Sequence, residues 1–395
     1  MLKGKTVLLG VTGGIAAYKA AALASALVKL HACVEVIMTE HATEFIAPLT
    51  FEQLTGNRTM VNTFDRNFTH QVEHISLAQR TDLVIVAPAT ANVCAKLALG
   101  LADDMLTTTV LACKCPKLIA PAMNTNMYEN PVTQDNLEIL KKYGWQVITP
   151  ASGRLACGAV GAGKLPEPEE LVQYILRTIA MDHDLEGKTV LVTAGATQES
   201  LDPVRYLTNH STGKMGCAIA EAAMLRGAEV ILVCGAVSAK IPPFVRVVKA
   251  VSAQEMFEAV AKYAPEADYI FKAAAVADYT PATYCDDKMK KKDGELSIEL
   301  KRTTDILAWL GQNRREDQVI CGFSMETRDM VENSRAKLVK KNVDMICANN
   351  LKQEGAGFGV DTNIITLITK NDVRELPLQS KQQVAHEIIN SAMTI

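Results

Sequence analysis

The chain opens with a short apolar run, Thr6–Gly10, that passes through Gly13-Gly14 into a segment of helical spacing over Ile15–Lys29. An apolar run of strand length bounded by glycine reads as a strand buried on both faces, and the spacing after it reads as a helix. The same alternation continues through the first half. Val34–Met38, Leu83–Ala87, Leu118–Ala120 and Gln146–Ile148 predict strands, and Ala91–Leu99, Asp104–Ala112 and Thr133–Lys142 predict helices. Alternation of this kind predicts a parallel sheet with helices on both faces. Such sheets bind ligands beyond the carboxyl ends of their strands.

The pattern then restarts. Gly4-Lys5-Thr6-Val7-Leu8-Leu9 recurs almost unchanged as Gly187-Lys188-Thr189-Val190-Leu191-Val192, just after the polar stretch Met181–Glu186. A repeated strand-to-glycine start after a polar linker predicts two α/β domains, 1–184 and 185–395, each doubly wound and Rossmann-like. Strands of the second are expected at Thr189–Ala194, Glu229–Val233, Tyr269–Ala274, Val319–Phe323 and Met345–Ala348. Cys285–Arg302 breaks the pattern: it is Lys-rich, and its alternating stretch Leu296–Leu300 predicts a hairpin-like excursion.

Composition narrows the picture. A chain of 395 residues with 48% hydrophobic and 22% charged side chains is globular and too long for one core. Net charge −3 and a pI near 6.2 give no basic surface for nucleic acid. No stretch reaches the roughly 18 apolar residues of a membrane span. Lys3 and Lys5 before an apolar run have the look of a signal peptide, but Gly13-Gly14 interrupts the run and Lys19 lies inside it. The ten cysteines are scattered with no C-x-x-C pair, which fits a reducing, cytoplasmic setting with most of them as small buried groups.

Candidate chemistry follows the strands. Gly10-Val11-Thr12-Gly13-Gly14-Ile15-Ala16 is a glycine-rich strand-to-helix turn, a shape that serves tight packing and anion binding equally. It matches neither the dinucleotide G-x-G-x-x-G nor the Walker ending. Thr39 follows the second strand, Ala89-Thr90-Ala91-Asn92 the third, and Ala122-Met123-Asn124 the fourth.

These stretches resemble the flavin-dependent cysteine decarboxylases, which include phosphopantothenoylcysteine decarboxylase and the peptide-cysteine decarboxylases of lantibiotic synthesis. The resemblance is carried by Gly13-Gly14-Ile15-Ala16-Ala17-Tyr18-Lys19, Ala87–Asn92 and Pro121-Ala122-Met123-Asn124-Thr125-Asn126-Met127-Tyr128. It implies a flavodoxin-like domain whose FMN is held by Gly13, Gly14, Ile15, Thr39, Ala89, Thr90, Ala91, Asn92, Ala122 and Met123. It also implies His74 as base, Asn124 as carboxylate anchor and Cys157, in a glycine-rich flap, as proton donor. The chemistry explains the set: a carboxylate β to a thiol leaves as CO2 only after the thiol carbon is oxidised to a thioaldehyde that can accept the electrons. Read without the family, His74 beside Ile75 is an ordinary structural histidine. His31, His41, His70 and His183 are expected on the surface.

In the second half, Thr193–Tyr206 runs on into Asn209-His210-Ser211-Thr212-Gly213-Lys214-Met215-Gly216, with Ser211 expected as the cap of the next helix. Gly213-Lys214 lacks the upstream glycine of a P-loop. Together with Ala273–Tyr279, Lys288–Lys291, Gly322–Thr327 and Lys337–Asn342, this half resembles the phosphopantothenate–cysteine ligase domain, in the bacterial form fused behind the decarboxylase. The resemblance implies binding of CTP, with Mg2+ whose ligands are not assigned, by Lys272, Ala273, Ala274, Asp278, Lys288, Thr304, Asp305, Ile306, Leu307, Phe323, Lys337 and Lys341. Thr304 stands where the family often has proline. Asn209 and Lys288 are implied in catalysis. Read by itself, Lys288–Lys292 is a solvated charge run.

Nearly the whole chain is covered by one two-domain architecture. That implies coenzyme A biosynthesis: 4′-phosphopantothenate, cysteine and CTP condense, and the product is decarboxylated. The family also implies a homo-oligomer with trimeric decarboxylase contacts and dimeric ligase contacts, together able to build a dodecamer. The competing readings are a flavodoxin-like redox protein with a nucleotide module, which leaves His74, Asn124 and Cys157 unexplained, and a regulatory flavoprotein, which loss of the histidine or cysteine would favour although both are present.

Overall fold

The computed structural model describes residues 1–64, 73–154, 158, 160–290, 297–326, 329–350, 357 and 359–395. Cys157 and His70 lie outside the described residues. The chain forms two compact units, Met1–Met181 and Asp182–Ile395. The second unit takes up the polar linker because buried Arg226 donates through Nε to Asp184 at 2.7 Å.

The first unit is built on β1 (Thr6–Val11), β2 (Cys33–Met38), β3 (Leu83–Ala89), β4 (Lys117–Pro121) and β5 (Trp145–Val147). They run parallel in the order β2-β1-β3-β4-β5. All seven residues of β3 are buried, as its run of branched apolar side chains requires of a central strand. The chain leaves β1 toward β2 and returns to the other side for β3, so the order reverses between β1 and β3. The ends of those two strands are stitched together. The fully buried Thr12 hydroxyl donates to Pro88 O at 2.7 Å and accepts the Thr90 N–H at 3.0 Å. The first long helix starts at Ala17, since Gly13–Ala16 form the turn. Beyond β5, an antiparallel hairpin of β6 (Ala151–Arg154) and β7 (Val160–Lys164) docks on the loop after β4, where Met123 N–H donates to Gly163 O at 3.0 Å.

The second unit repeats the plan in β8 (Thr189–Ala194), β11 (Glu229–Cys234), β12 (Arg246–Lys249), β13 (Tyr269–Lys272), β16 (Val319–Glu326) and β17 (Met345–Asn350). These are parallel in the order β12-β11-β8-β13-β16-β17. A short strand, β18 (Thr362–Asn363), precedes β19 (Ile365–Thr369) and β20 (Val373–Glu375), and the last two extend the sheet antiparallel from β17. The repeated sequence start is a repeated structural device. Thr6 N–H donates to Asp82 at 2.6 Å and Thr189 N–H donates to Asp268 at 2.8 Å, each carboxylate standing just ahead of the neighbouring strand.

One expectation needs correction, and the hairpin-like excursion is observed. The helix Lys214–Leu225 is capped by Gly213 at φ 78°, not by Ser211, whose hydroxyl accepts the Gly213 N–H at 3.4 Å instead. A side chain at Gly213 would meet Val237 at 2.9 Å, so the left-handed glycine governs the entry. The Lys-rich excursion is closed by β14 (Tyr279–Pro281) pairing antiparallel with β15 (Leu300–Arg302), so the strand begins at Leu300. Ile298 and Leu300 are exposed and offer no core face, and Leu296 lies outside the described residues.

Candidate active sites

At the carboxyl ends of β1, β3 and β4 lies a cavity of about 630 Å3. Gly13, Gly14, Ile15, Thr90, Ala91, Ala122, Met123 and Asn124 all line it, so the three motif loops do converge. Gly13 is required by close packing, because a Cβ there would stand 2.5 Å from that of His41. This contact brings the turn after β2 against the glycine-rich loop. In that turn the buried Thr39 hydroxyl has no hydrogen-bond partner among the described residues. An orphaned buried hydroxyl beside a glycine cradle and apolar walls fits a flavin mononucleotide, whose phosphate needs donors and whose ring needs an apolar slot.

Asn124 is held in a fixed orientation. Its Oδ1 accepts the Asn126 N–H at 2.9 Å and caps Thr125–Glu129, which makes the amide NH2 its donor end. Ala89 is buried at the end of β3 and accepts the Ala122 N–H at 2.9 Å without lining the cavity. Asn92, exposed on the next helix, does not line it either. His74 is half-buried on the helix Glu73–Arg80, also outside the cavity wall. His31, His41 and His183 are exposed.

The structure adds residues that motif reading left out. Arg154 and Lys164 reach the cavity from the β6–β7 hairpin. Lys19 also lines it, almost wholly buried, with Nζ donating to Leu165 O at 3.2 Å and to Glu167 at 2.8 Å. A lysine placed inside an apolar helical stretch is a signal that could have marked it.

The second unit carries a cavity of about 600 Å3 at the carboxyl ends of β13 and β16. Nine expected nucleotide residues line it: Lys272, Asp278, Thr304, Asp305, Ile306, Leu307, Phe323, Lys337 and Lys341. Arg302, Asn333 and Lys340 join them, so five cationic side chains (Lys272, Arg302, Lys337, Lys340, Lys341) face two carboxylates, Asp278 and Asp305. Burial, and after it the nearby Lys337, pushes the Lys272 ammonium down to about 8. Asp305 caps the helix Ile306–Asn313 through the Ala308 N–H at 2.9 Å and is ion-paired with Lys341. Although burial pulls its carboxyl upward, those two partners hold it below the usual range. Lys337 Nζ donates to Phe323 O at 3.1 Å. A surplus of positive charge in a polar cleft suits a polyphosphate.

Four expected residues stand apart. Ala273 and Ala274 follow β13 beneath the cavity, with Ala274 N–H donating to Thr193 Oγ1 at 3.1 Å. Lys288 is exposed and does not line the cavity. Asn209 lies where the strand order reverses between β8 and β13, donating through Nδ2 to Ala275 O at 3.1 Å. Among the described residues no cluster of three His, Cys, Asp or Glu side chains could hold a metal, and the nine described cysteines are free thiols. No described helix is long and apolar enough to cross a membrane.

Residues 1–180 match the flavoprotein family model, and 185–395 match that of the DNA/pantothenate metabolism flavoprotein C-terminal domain. The chain is 50% identical over 393 residues to the coenzyme A biosynthesis bifunctional protein CoaBC of Bacillus subtilis, covering 98% of this chain and 97% of that protein. It is 45% identical over 391 residues to the protein of the same name from Vibrio cholerae, covering 98% of each. Among solved structures, the C-terminal domain of a coenzyme A biosynthesis bifunctional protein CoaBC is 43% identical with a TM-score of 0.45, covering 53% of this chain and 96% of that one.

Proposed function

The chain belongs to the family of coenzyme A biosynthesis bifunctional proteins, and on that premise we propose how its two units divide the work. It is a flavoprotein with a decarboxylase activity and a ligase activity. We assign the ligase to residues 185–395 and the decarboxylase to 1–184. The observation that carries this assignment is the contrast between the two cavities: one glycine-rich and apolar, the other cationic.

In the ligase, the carboxylate of 4′-phosphopantothenate attacks the α-phosphorus of CTP, giving an acyl-cytidylate and pyrophosphate. The cysteine amine then attacks the acyl carbon and releases CMP. Lys272, Lys337 and Lys341 neutralise the charge that shifts onto the departing phosphates. Phe323 and Leu307 supply apolar surface, and Asp278 a polar contact for ribose or base. Mg2+ would be held mainly by the phosphate oxygens of CTP. Asn209, at the strand switch, holds the acyl group, and Lys288 serves the activation step.

In the decarboxylase, Gly13, Gly14, Ile15, Thr90, Ala91, Ala122 and Met123 would hold FMN, which when bound would supply reversible two-electron oxidation at the thiol-bearing carbon. Asn124 donates its amide NH2 to the substrate carboxylate, in the orientation that Asn126 enforces. Cys157 protonates the enethiolate, and His74 takes up the substrate proton. Because His74 lies off the cavity of its own chain, we assign it to the flavin site of a neighbouring copy, which requires the homo-oligomer expected above. The setting is cytoplasmic.

The test supplies purified yellow protein with 4′-phosphopantothenate, cysteine, Mg2+ and either CTP or ATP. CMP, CO2 and a product with the mass of 4′-phosphopantetheine are expected. No nucleotide turnover, beside CO2 release from supplied 4′-phosphopantothenoylcysteine, would remove the ligase, and AMP formed in preference to CMP would overturn the choice of CTP.

A further inference from the structure

A fully buried carboxylate that neither cavity uses holds together the backbone around two of the proposed ligase residues. β9 (Gln198–Ser200) and β10 (Tyr206–Thr208) pair antiparallel, with Ser200 opposite Tyr206 and Gln198 opposite Thr208. Asn209 follows directly at the base of this hairpin. The tip, residues 201–205, carries Asp202, whose side chain is 0% exposed.

Asp202 Oδ1 accepts the N–H groups of Val204 and Arg205, both at 2.8 Å. Its Oδ2 accepts Arg205 Nε at 3.0 Å, a second guanidinium nitrogen, and the N–H of Met289 at 3.1 Å. The same guanidinium donates to Met289 O at 2.8 Å, and Cys285 N–H donates to Leu201 O at 3.1 Å. Both polar groups of the Met289 backbone are therefore held, one residue after Lys288, although 84 and 87 positions separate the partners. The hydrogen bond from Arg205 above all holds the Asp202 carboxyl well below its usual range, so it accepts as an anion throughout the neutral range. A desolvated anion kept at a hairpin tip costs stability unless every lone pair is used, and here the contacts use them on the segment bearing Lys288.

We propose that Asp202 is a positioning residue of the ligase: by fixing the backbone of Met289 on the β9–β10 tip, it sets where Lys288 stands relative to Asn209 at the hairpin base. This rests on Lys288 acting in the activation step. Asp202 itself touches no substrate. Asp202→Asn replaces one acceptor oxygen by an NH2 donor that cannot receive both the Met289 N–H and the guanidinium, so the Lys288 segment loses its anchor.

The test uses the full chain, with decarboxylation of supplied 4′-phosphopantothenoylcysteine as the internal control. For Asp202→Asn, kcat for CMP formation should fall about 100-fold, with the KM for CTP changed by less than about twofold and decarboxylation intact. Lys288→Gln should lose ligase turnover, and the double variant should be no slower than Lys288→Gln alone. Wild-type ligase rates in Lys288→Gln would overturn the assignment of Lys288. Collapse in Lys288→Gln beside wild-type kcat in Asp202→Asn, a loss confined to KM, or a further loss in the double variant would overturn the positioning role alone. If Asp202→Asn fails to fold, Arg205→Gln decides: it removes the guanidinium that ties Asp202 to Met289 O. A matching fall in kcat supports the proposal, and an unchanged kcat ends it.

Discussion

The N–H of Thr90 donates to the hydroxyl of Thr12 at 3.0 Å, and that hydroxyl donates onward to Pro88 O at 2.7 Å, closing the gap between β1 and β3 where the first cavity opens. Both loops lining the proposed flavin site thus depend on one buried side chain. Thr12→Val preserves the shape but leaves two main-chain groups unsatisfied, at about 1–3 kcal/mol. Heating the variant should release flavin fluorescence several degrees earlier than in wild type, and Thr12→Ser should restore most of the difference. An unchanged release temperature in Thr12→Val would count against this role.

If Lys272 binds the nucleotide as proposed, its ammonium makes that binding depend on pH. Burial and then Lys337 lower it from 10.5 to about 8, so between those values the folded chain binds fewer protons than the unfolded one. Without ligand, the second unit therefore gains stability as pH rises through that window. Polyphosphate restores the charge, so binding takes up a proton, and affinity should fall above pH 8 by at most about tenfold per unit. Calorimetry of CTP binding in buffers of different ionisation enthalpy should show the uptake. Lys272→Arg, always charged, should remove the pH step while keeping binding.

Gly311 sets the distance between two elements of the nucleotide cavity. A Cβ there would lie 1.8 Å from Lys341 O, and Asn342 Nδ2 donates to Gly311 O at 2.8 Å. The helix Ile306–Asn313 thereby sits against the end of Met330–Lys341, which carries Lys337 and Lys341. Gly311→Ala should force that end outward, at about 1–3 kcal/mol of overpacking. The expected result is a raised KM for CTP with decarboxylation unchanged, and a wild-type KM would show that the cavity tolerates the shift.

Much of this architecture is legible in the sequence because buried parallel strands announce themselves. Thr189–Ala194 is observed with its expected limits, and Glu229–Cys234 differs by one residue. Short edge strands such as Arg246–Lys249 carry no such signal, being half solvated. Ser211 was a reasonable cap by residue type, but the helix entry depends on how closely Gly213 approaches Val237, which no local pattern encodes. Nine of the residues expected to bind nucleotide line one cationic cavity, yet the sequence does not separate Lys340, which lines it, from Lys288, which does not. Both sit in Lys-rich runs, and only the tertiary path of the chain tells them apart.

Gly163 joins the Asn124 loop to the hairpin beyond it. Its φ is 131°, and a side chain there would meet Met123 O at 2.3 Å, next to the Met123 N–H that Gly163 O receives at 3.0 Å. Gly161 differs, since its Cβ would stand 2.7 Å from the Thr125 side chain, whereas Gly163 meets backbone. Main chain on main chain leaves no side-chain rotamer to absorb an added methyl, so Gly163→Ala must move either the hairpin or the Asn124 segment. In the proposed assignment the cofactor is held by Gly13, Gly14 and Thr90, from other loops of the cavity. The variant should therefore purify yellow and keep its ligase rate, while decarboxylation of supplied 4′-phosphopantothenoylcysteine slows by about 100-fold for a displacement near 1 Å. Loss of flavin together with activity would instead show that the Met123–Gly163 contact holds the cofactor, not the anchor for the substrate carboxylate.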